Sequence, residues 1–258
     1  MLPGGWAHDV TVRVRDGVIA AIDVGEKPPS TADRHGLGLP GLSNVHSHAF
    51  QRAMAGLAET GGRNSDSFWT WRDLMYRFVE RMTPEDLRAV AALAYCEMLE
   101  AGFTRVGEFH YLHHDPSGTP YSDIAEMSAA IVAAADESGI GLTLLPVLYS
   151  HAGFGARPPE PSQKRFILDV DGYTRLLEGA EGCAADLPDA VVGMAPHSLR
   201  AVAPEQLQII APLSQGRPIH IHVAEQAKEV EDCLAWCGRR PVDWLLDTCP
   251  PSAPMAQI

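Results

Sequence analysis

The sequence predicts an α/β fold in which parallel strands alternate with helices, preceded by a small β element. Two observations predict it. Five near-continuously apolar segments, typical of strands buried on both faces, alternate with segments that carry helix start and stop residues. Polar residues collect where each of these five segments ends. The pattern is that of a partial TIM (β/α) barrel with about five of the eight βα units.

Composition narrows the class of protein. With 258 residues the chain suits one large domain or two small ones, and 46% hydrophobic and 21% charged residues are ordinary for a globular protein. The net charge of −13 argues against general nucleic-acid binding. No secretory signal and no run of about 18 apolar residues is visible, so we expect a cytoplasmic protein without a membrane span.

The five cysteines are an odd number with scattered spacings. Cys233 and Cys237 are four residues apart, which places them on one helix face rather than in a Cys-x-x-Cys site. We therefore expect reduced, mostly buried thiols.

The chain divides by pattern into three parts. Residues 1–36 predict a small β-sandwich portion, since alternating valines from Val10 to Val14, an Asp16-Gly17 turn and a second apolar run form a hairpin. Residues 37–247 predict the incomplete barrel. Residues 248–258, rich in proline, predict an irregular tail.

The first barrel strand is predicted from the apolar run 37–42, which leads into His46-Ser47-His48. In a strand, residues i and i+2 point to the same face, so the two imidazoles aim at one point. Neutral imidazole is a common ligand of zinc and similar metals. Taken alone, the pair is equally compatible with two polar histidines in a surface loop.

The later elements follow in order. Thr83 is a candidate N-cap and Pro84 a first helical residue. The predicted helices cover 83–100, 123–138, 172–182, 204–212 and 226–236, with a last one from Pro241; the predicted strands cover 104–111, 141–150, 190–196 and 218–225. The aromatic-rich segment 50–82 is left without an assigned element.

The last of these strands carries the second signal, His222-Val223-Ala224-Glu225. Because a barrel builds its active site at the carboxyl ends of its strands, His222 would join His46 and His48 as a third metal ligand. A metal of this kind lowers the pKa of water to about 7. Glu225 would shuttle a proton between that water and a leaving group. His220 shares a face with His222 and is expected behind the site, not as a ligand.

The chain resembles the amidohydrolase superfamily and its deaminase branch, and more closely the formimidoylglutamate deiminase family, over about residues 1–247. The resemblance is carried by His46–Gly56, Phe68–Arg72, Glu108–His114, Pro146–His151, Ala195–Arg200 and His220–Gln226. It implies the metal-dependent hydrolase type of barrel. It also implies hydrolysis of N-formimino-L-glutamate to N-formyl-L-glutamate and ammonia, in histidine catabolism.

The resemblance further implies the site residues. Glu225 would be the catalytic acid and base, and His46, His48 and His222 the ligands of one divalent metal ion, with zinc as the default and iron or manganese still open. The substrate-binding positions would be Gln51, Arg72, Tyr111, His197 and Arg200. The two arginines suit the two carboxylates of this small-molecule substrate. The resemblance is also compatible with a homodimer.

Other interpretations stay open from the residues. Arg72 fits a surface arginine stacked on Trp69 or Trp71, and Tyr111 and His197 fit ordinary strand-end positions. His113 and His114 fit loop residues without a role. The whole chain fits a deaminase of a purine-like ring, or a non-catalytic fragment that binds metal or a partner chain.

The sequence departs from the family pattern at its C-terminal end. The pattern would continue to a sixth strand bearing a histidine and an eighth strand bearing an aspartate, and neither is present. The sequence therefore resembles a truncated form. We expect the isolated chain to be poorly stable, because the sheet edge where the sixth strand should pair would be left open. We also expect it to be weak or inactive, because the carboxylate that would complete the metal site is missing.

Overall fold

The structure, a computed structural model, describes residues 1–58, 68–249 and 256–257. The chain divides into two compact units, Met1–Leu42 and Ser43–Ile258. None of the helices in the described part of the chain combines the length and the apolar character that crossing a membrane requires. The division into three parts that the sequence predicts, with boundaries after residues 36 and 247, stays a prediction.

The first unit contains the predicted hairpin. Strands β1 (Val10–Arg15) and β2 (Val18–Val24) pair antiparallel. Asp16 and Gly17 both have positive φ angles, 51° and 76°. This is the backbone of a two-residue turn whose twist matches that of the strands, and Asp-Gly is one of the sequences that favour it.

The second unit is built from short parallel strands with helices between them. Its strands are β3 (Leu42–Ser47), β4 (Phe103–His110), β5 (Gly141–Leu148), β6 (Val191–Val192), β7 (Ala195–Pro196), β8 (His220–Ile221) and β9 (Ala256–Gln257). The helices are α1 (Phe68–Val79), α2 (Pro84–Glu100), α3 (Glu126–Ser138), α4 (Val170–Ala184), α5 (Pro204–Ile210), α6 (Ala227–Cys237) and α7 (Pro241–Thr248). One sheet has the order β3-β4-β5-β6, β7 pairs with β5, and β8 pairs with β9.

Two apolar clusters hold this unit together. The larger lies between the central strands β4 and β5 and helices α2 and α3, with Phe109, Leu144 and Ile131 fully buried. The second surrounds Tyr173 of α4 and Ile221 of β8. The largely apolar sequence of β5 is explained by this burial, since the strand is covered on both faces.

Glycine permits two close approaches between neighbouring strands. A Cβ atom on Gly107 in β4 would lie 2.8 Å from the carbonyl oxygen of Val45 in β3. A Cβ atom on Gly193, between β6 and β7, would lie 2.5 Å from the carbonyl oxygen of Pro218. Any larger residue would push β3 away from β4, or the segment before β8 away from β7.

The predicted first barrel strand, which leads into His46 and His48, is present as β3, but the prediction that it is buried was wrong. The strand begins only at Leu42, and Leu37, Leu39, Leu42 and Val45 are all more than half exposed. The sheet order gives the reason: β3 is an edge strand among the described residues, so apolar sequence alone did not determine burial.

Other elements differ in extent. The strand predicted over 190–196 is interrupted at Gly193, and that predicted over 218–225 forms ladder pairs only at His220–Ile221. Within 50–82, a 3₁₀ turn (Ala49–Met54) and helix α1 were missed. Most of the predicted tail, residues 250–255 and 258, lies outside the described residues, whereas Ala256–Gln257 forms β9.

The predictions for the burial of the cysteines and for the role of His113 and His114 were also wrong in part. All five thiols are free, as expected, but only Cys233 is buried and Cys96 is exposed. Cys233 and Cys237 share a face of α6, with their Sγ atoms 3.9 Å apart. His113 and His114 are buried, and their Nε2 atoms lie 2.9 Å and 2.7 Å from the carbonyl oxygens of Val147 and Ile167. They therefore tie loops to the core.

Candidate active site

Three imidazole nitrogens converge at the carboxyl ends of β3 and β8. His46 Nε2 lies 3.0 Å from His48 Nε2 and 3.2 Å from His222 Nε2. Within the part of the chain that the structure describes, this is the one group of histidine, cysteine or acidic residues compact enough to hold a metal ion. His46 lies near the end of β3, and His48 directly follows its last residue, Ser47. A parallel bridge joins His222 to Ser198 and brings the third ring to the same place.

The surroundings keep these imidazoles neutral. Burial, followed by the neighbouring His46, lowers the pKa of His48 to about 3. Burial also lowers the pKa of His222 to about 2 and that of His46 below its ordinary value. Neutral rings are the form that binds metals.

The hydrogen bonds of His48 indicate which of its nitrogens is free. Its Nδ1 lies 2.9 Å from the carbonyl oxygen of Phe109, which can only accept, so Nδ1 carries the proton and Nε2 presents a lone pair. The ring of His222 is stacked on Phe109 with centroids 4.3 Å apart. A cluster of nitrogen lone pairs facing one another fits a cation between them.

One cavity of about 1320 Å³ opens over these histidines. All the predicted site residues lie on its wall: His46, His48, Gln51, Arg72, Tyr111, His197, Arg200, His222 and Glu225. They come from the ends of several strands and from α1. The structure therefore brings the whole predicted set together, as expected for the carboxyl end of a barrel.

The Arg200 guanidinium is held between two carboxylates. Its Nη2 donates to Glu225 Oε2 over 2.7 Å, and its Nε lies 3.3 Å from Glu229 Oε2. Glu225 follows Ala224, whose φ of 59° turns the chain from β8 into α6. The predicted catalytic carboxylate and one predicted substrate arginine thus form an ion pair with each other.

Gln51 and Tyr111 form a polar contact on another part of the wall. Gln51 Nε2 donates to the Tyr111 hydroxyl over 3.0 Å, and that hydroxyl lies 3.4 Å from Met75 Sδ. Burial raises the pKa of Tyr111, so it remains a neutral hydrogen-bonding group. The same contact shows that Met75 lines the site in addition to filling the core.

His197 and Arg72 complete the predicted set. The His197 ring packs against Tyr149, with centroids 4.4 Å apart, and burial is the main cause of its strongly lowered pKa. Arg72 lies 5.7 Å from the ring centre of Tyr76. The alternative drawn from the sequence, stacking of Arg72 on Trp69 or Trp71, stays a prediction, because the side chain of Trp69 lies outside the described residues.

Several wall residues were not predicted. Trp71, Met75, Tyr76 and Trp236 contribute apolar surface, and Glu229 contributes a buried carboxylate. Glu229 could have been found from its spacing, because it follows Glu225 by four residues across the start of a helix. The residues of α1 gave no such signal, since the helix itself was missed.

Comparison with known proteins agrees with this architecture. The model of the amidohydrolase family matches residues 38–249. The chain belongs to the amidohydrolase family. It is 51% identical over 253 residues to the formimidoylglutamate deiminase of Pseudomonas aeruginosa, covering 96% of this chain and 55% of that protein. It is also 28% identical to a 5-methylthioadenosine/S-adenosylhomocysteine deaminase of Desulfovibrio desulfuricans, with 91% of this chain and 49% of that protein covered.

Solved structures give the same result. The crystal structure of an amidohydrolase from Brucella melitensis matches with a TM-score of 0.96 and 52% identity, over 99% of this chain and 57% of that one. The predicted α/β fold, a partial barrel of the amidohydrolase type, is confirmed. The chain spans about half the length of the curated relatives it matches.

Proposed function

We propose that this protein hydrolyses N-formimino-L-glutamate to N-formyl-L-glutamate and ammonia. The observation that carries the proposal is the joint presence, on one cavity, of a neutral histidine cluster, a carboxylate and two arginines. The 51% identity to a formimidoylglutamate deiminase supports it. A purine-like substrate has no carboxylates, so cationic side chains on the wall favour the acidic substrate.

His46, His48 and His222 are the residues that would hold one divalent metal ion, with zinc as the first candidate. Such an ion would supply Lewis acidity at the reacting carbon and toward water. Three neutral imidazoles suit zinc, and iron and manganese also accept such ligands.

Glu225 is proposed to move the proton. One carboxylate oxygen would accept a proton from the attacking water, and the same carboxyl would then donate it to the nitrogen that leaves as ammonia. Its side chain is one-third exposed to the cavity, which leaves room for a substrate. Water thus supplies the oxygen of the formyl product.

The remaining residues are proposed to bind and orient the substrate. Arg72 and Arg200 would each bind a carboxylate, because a planar guanidinium matches a carboxylate in two parallel hydrogen bonds. Gln51, Tyr111 and His197 would orient the formimino group by hydrogen bonds. Binding at Arg200 would exchange the contact that Glu225 now makes for one with the substrate.

The experiment is to measure ammonia release from N-formimino-L-glutamate together with the metal content of the purified protein. Since the chain alone is expected to be a weak enzyme, we expect slow turnover with about one bound metal ion per chain, and loss of both in His222→Ala but not in His8→Ala, a matched change at an exposed histidine of the first unit. Arg72→Ala should raise the KM for this dicarboxylate. A protein that retains its metal but acts only on a neutral purine would contradict the proposal.

A further inference from the structure

Glu229 is a buried carboxylate that the proposed mechanism does not use. It lies in the first turn of α6, and its side chain is 0% exposed although the residue borders the cavity. A carboxylate loses its hydration when it is buried and is retained only where other groups compensate. The groups that contact the Glu229 carboxylate therefore indicate its role.

The Glu229 carboxylate contacts two of the predicted site residues, Glu225 and Arg200. Oε2 of Glu229 accepts a hydrogen bond from the backbone N–H of Glu225 over 3.0 Å and lies 3.3 Å from Nε of Arg200. Burial raises the pKa of Glu229, and the positive charge of Arg200 is the largest influence in the opposite direction. Among the described residues, Oε1 has no hydrogen-bond partner, so the carboxylate depends on these contacts.

The two carboxylates on Arg200 are not equivalent. The side chain of Glu229 is fully buried, whereas that of Glu225 is 33% exposed. The guanidinium is planar, so its Nε can keep the 3.3 Å ionic contact with Glu229 Oε2 while the terminal nitrogens change hydrogen-bond partners. Glu229 is thus the fixed partner of Arg200, and Glu225 the one that a bound carboxylate can replace.

The same carboxylate also supports the backbone. Ala224 has a φ of 59°, a left-handed conformation that is unfavourable for a residue with a side chain. The hydrogen bond from Glu225 N–H to Glu229 closes this turn from the helix side. The turn sets the direction in which Glu225 leaves β8 relative to His222.

We propose that Glu229 is a positioning residue that fixes Arg200 for binding a substrate carboxylate and holds the turn that presents Glu225 to the cavity. The inference rests on the proposed function and deepens it. Glu229 itself touches neither the substrate nor the reacting atoms, so its effect on binding is exerted through Arg200.

The test compares Glu229→Gln with Glu231→Gln, a change at an exposed glutamate of the same helix that does not line the cavity. Glu229→Gln keeps an oxygen for the Glu225 N–H but removes the negative charge opposite Arg200. The readouts are the KM and kcat for N-formimino-L-glutamate, the Kd of N-formyl-L-glutamate by calorimetry, and the metal content. We expect KM and Kd to rise by about tenfold, the size of a lost charged contact, with kcat and metal content little changed.

A double-mutant cycle separates positioning from a general loss of structure. If Glu229 acts through Arg200, Glu229→Gln should change Kd less than twofold once Arg200→Gln is already present. Independent, multiplicative effects of the two changes on Kd would overturn the inference, as would KM and Kd values in Glu229→Gln equal to those of Glu231→Gln. The wild-type protein is measured first. If it neither releases ammonia nor binds N-formyl-L-glutamate, the proposed function itself is refuted, whatever the Glu229 variants show.

Discussion

Glu108 should make this protein less stable as the pH rises from 5 to 7.5. The Glu108 side chain is fully buried in β4, the neighbour of β3, and accepts a hydrogen bond from the backbone N–H of Ala49 over 2.7 Å. Burial raises its pKa from 4.5 to about 7, and the hydrogen bond from Ala49 opposes this only in part. The folded chain therefore holds a proton that the unfolded chain releases at lower pH.

The sign and size of this pH effect follow from the linkage between proton binding and folding. A group whose folded-state pKa is raised adds stability that is fully present below the unfolded value and is lost as the pH rises through the folded value. Here the window runs from 4.5 to about 7. At about 1.4 kcal/mol per pH unit, the contribution to the free energy of unfolding should fall by about 2 kcal/mol between pH 5 and pH 7.5.

The assay is urea unfolding of metal-free protein at both pH values, with Glu108→Gln as the comparison. The amide imitates the protonated acid, so the difference in unfolding free energy between wild type and Glu108→Gln should change by this amount. Glu100→Gln, at an exposed glutamate of α2, is the control and should leave the pH dependence of the wild type unaltered. A wild-type profile parallel to that of Glu108→Gln would refute the reasoning, because Glu108 would then titrate as in the unfolded chain.

Two further predictions concern His48 and the start of α2. Burial lowers the pKa of His48 to about 3, so the stability that the neutral ring contributes is present above the unfolded-state pKa of 6.5 and is lost as the pH falls. Between pH 7 and pH 5, the free energy of unfolding of metal-free His48→Gln should therefore fall by about 2 kcal/mol less than that of the wild type. Equal losses in urea unfolding would contradict this. Thr83 caps α2 through reciprocal hydrogen bonds with Asp86, of 3.1 Å and 3.0 Å, so Thr83→Ala should lower the free energy of unfolding by about 1 kcal/mol. An unchanged thermal midpoint in Thr83→Ala would show that this cap is not needed.

The order of helices and strands could be predicted from the sequence because the residues at helix ends mark where helices begin and end. Thr83 and Pro84 open α2 and Gly139 ends α3 in a left-handed conformation, so capping residues marked these ends correctly. Helix α1 was missed because its aromatic residues have no strong helix preference and its partners are distant in the sequence. The exposure of Leu39 and Leu42 was likewise not predictable, since it depends on which strands lie beside β3.

The candidate site shows the same division. His46, His48, His222 and Glu225 were predicted because the spacing of residues within one strand or turn fixes which face they share. The fold class could thus be predicted from the sequence, and local spacing together with the family resemblance predicted nine residues that line the cavity, whereas Glu229 and the aromatic residues of α1 were missed. Only the tertiary structure decided the partners across that cavity, namely the ion pairs of Arg200 and the burial of Glu229 and Glu108. The physical reason is that burial and pairing are set by contacts between distant parts of the chain, and no local pattern records them.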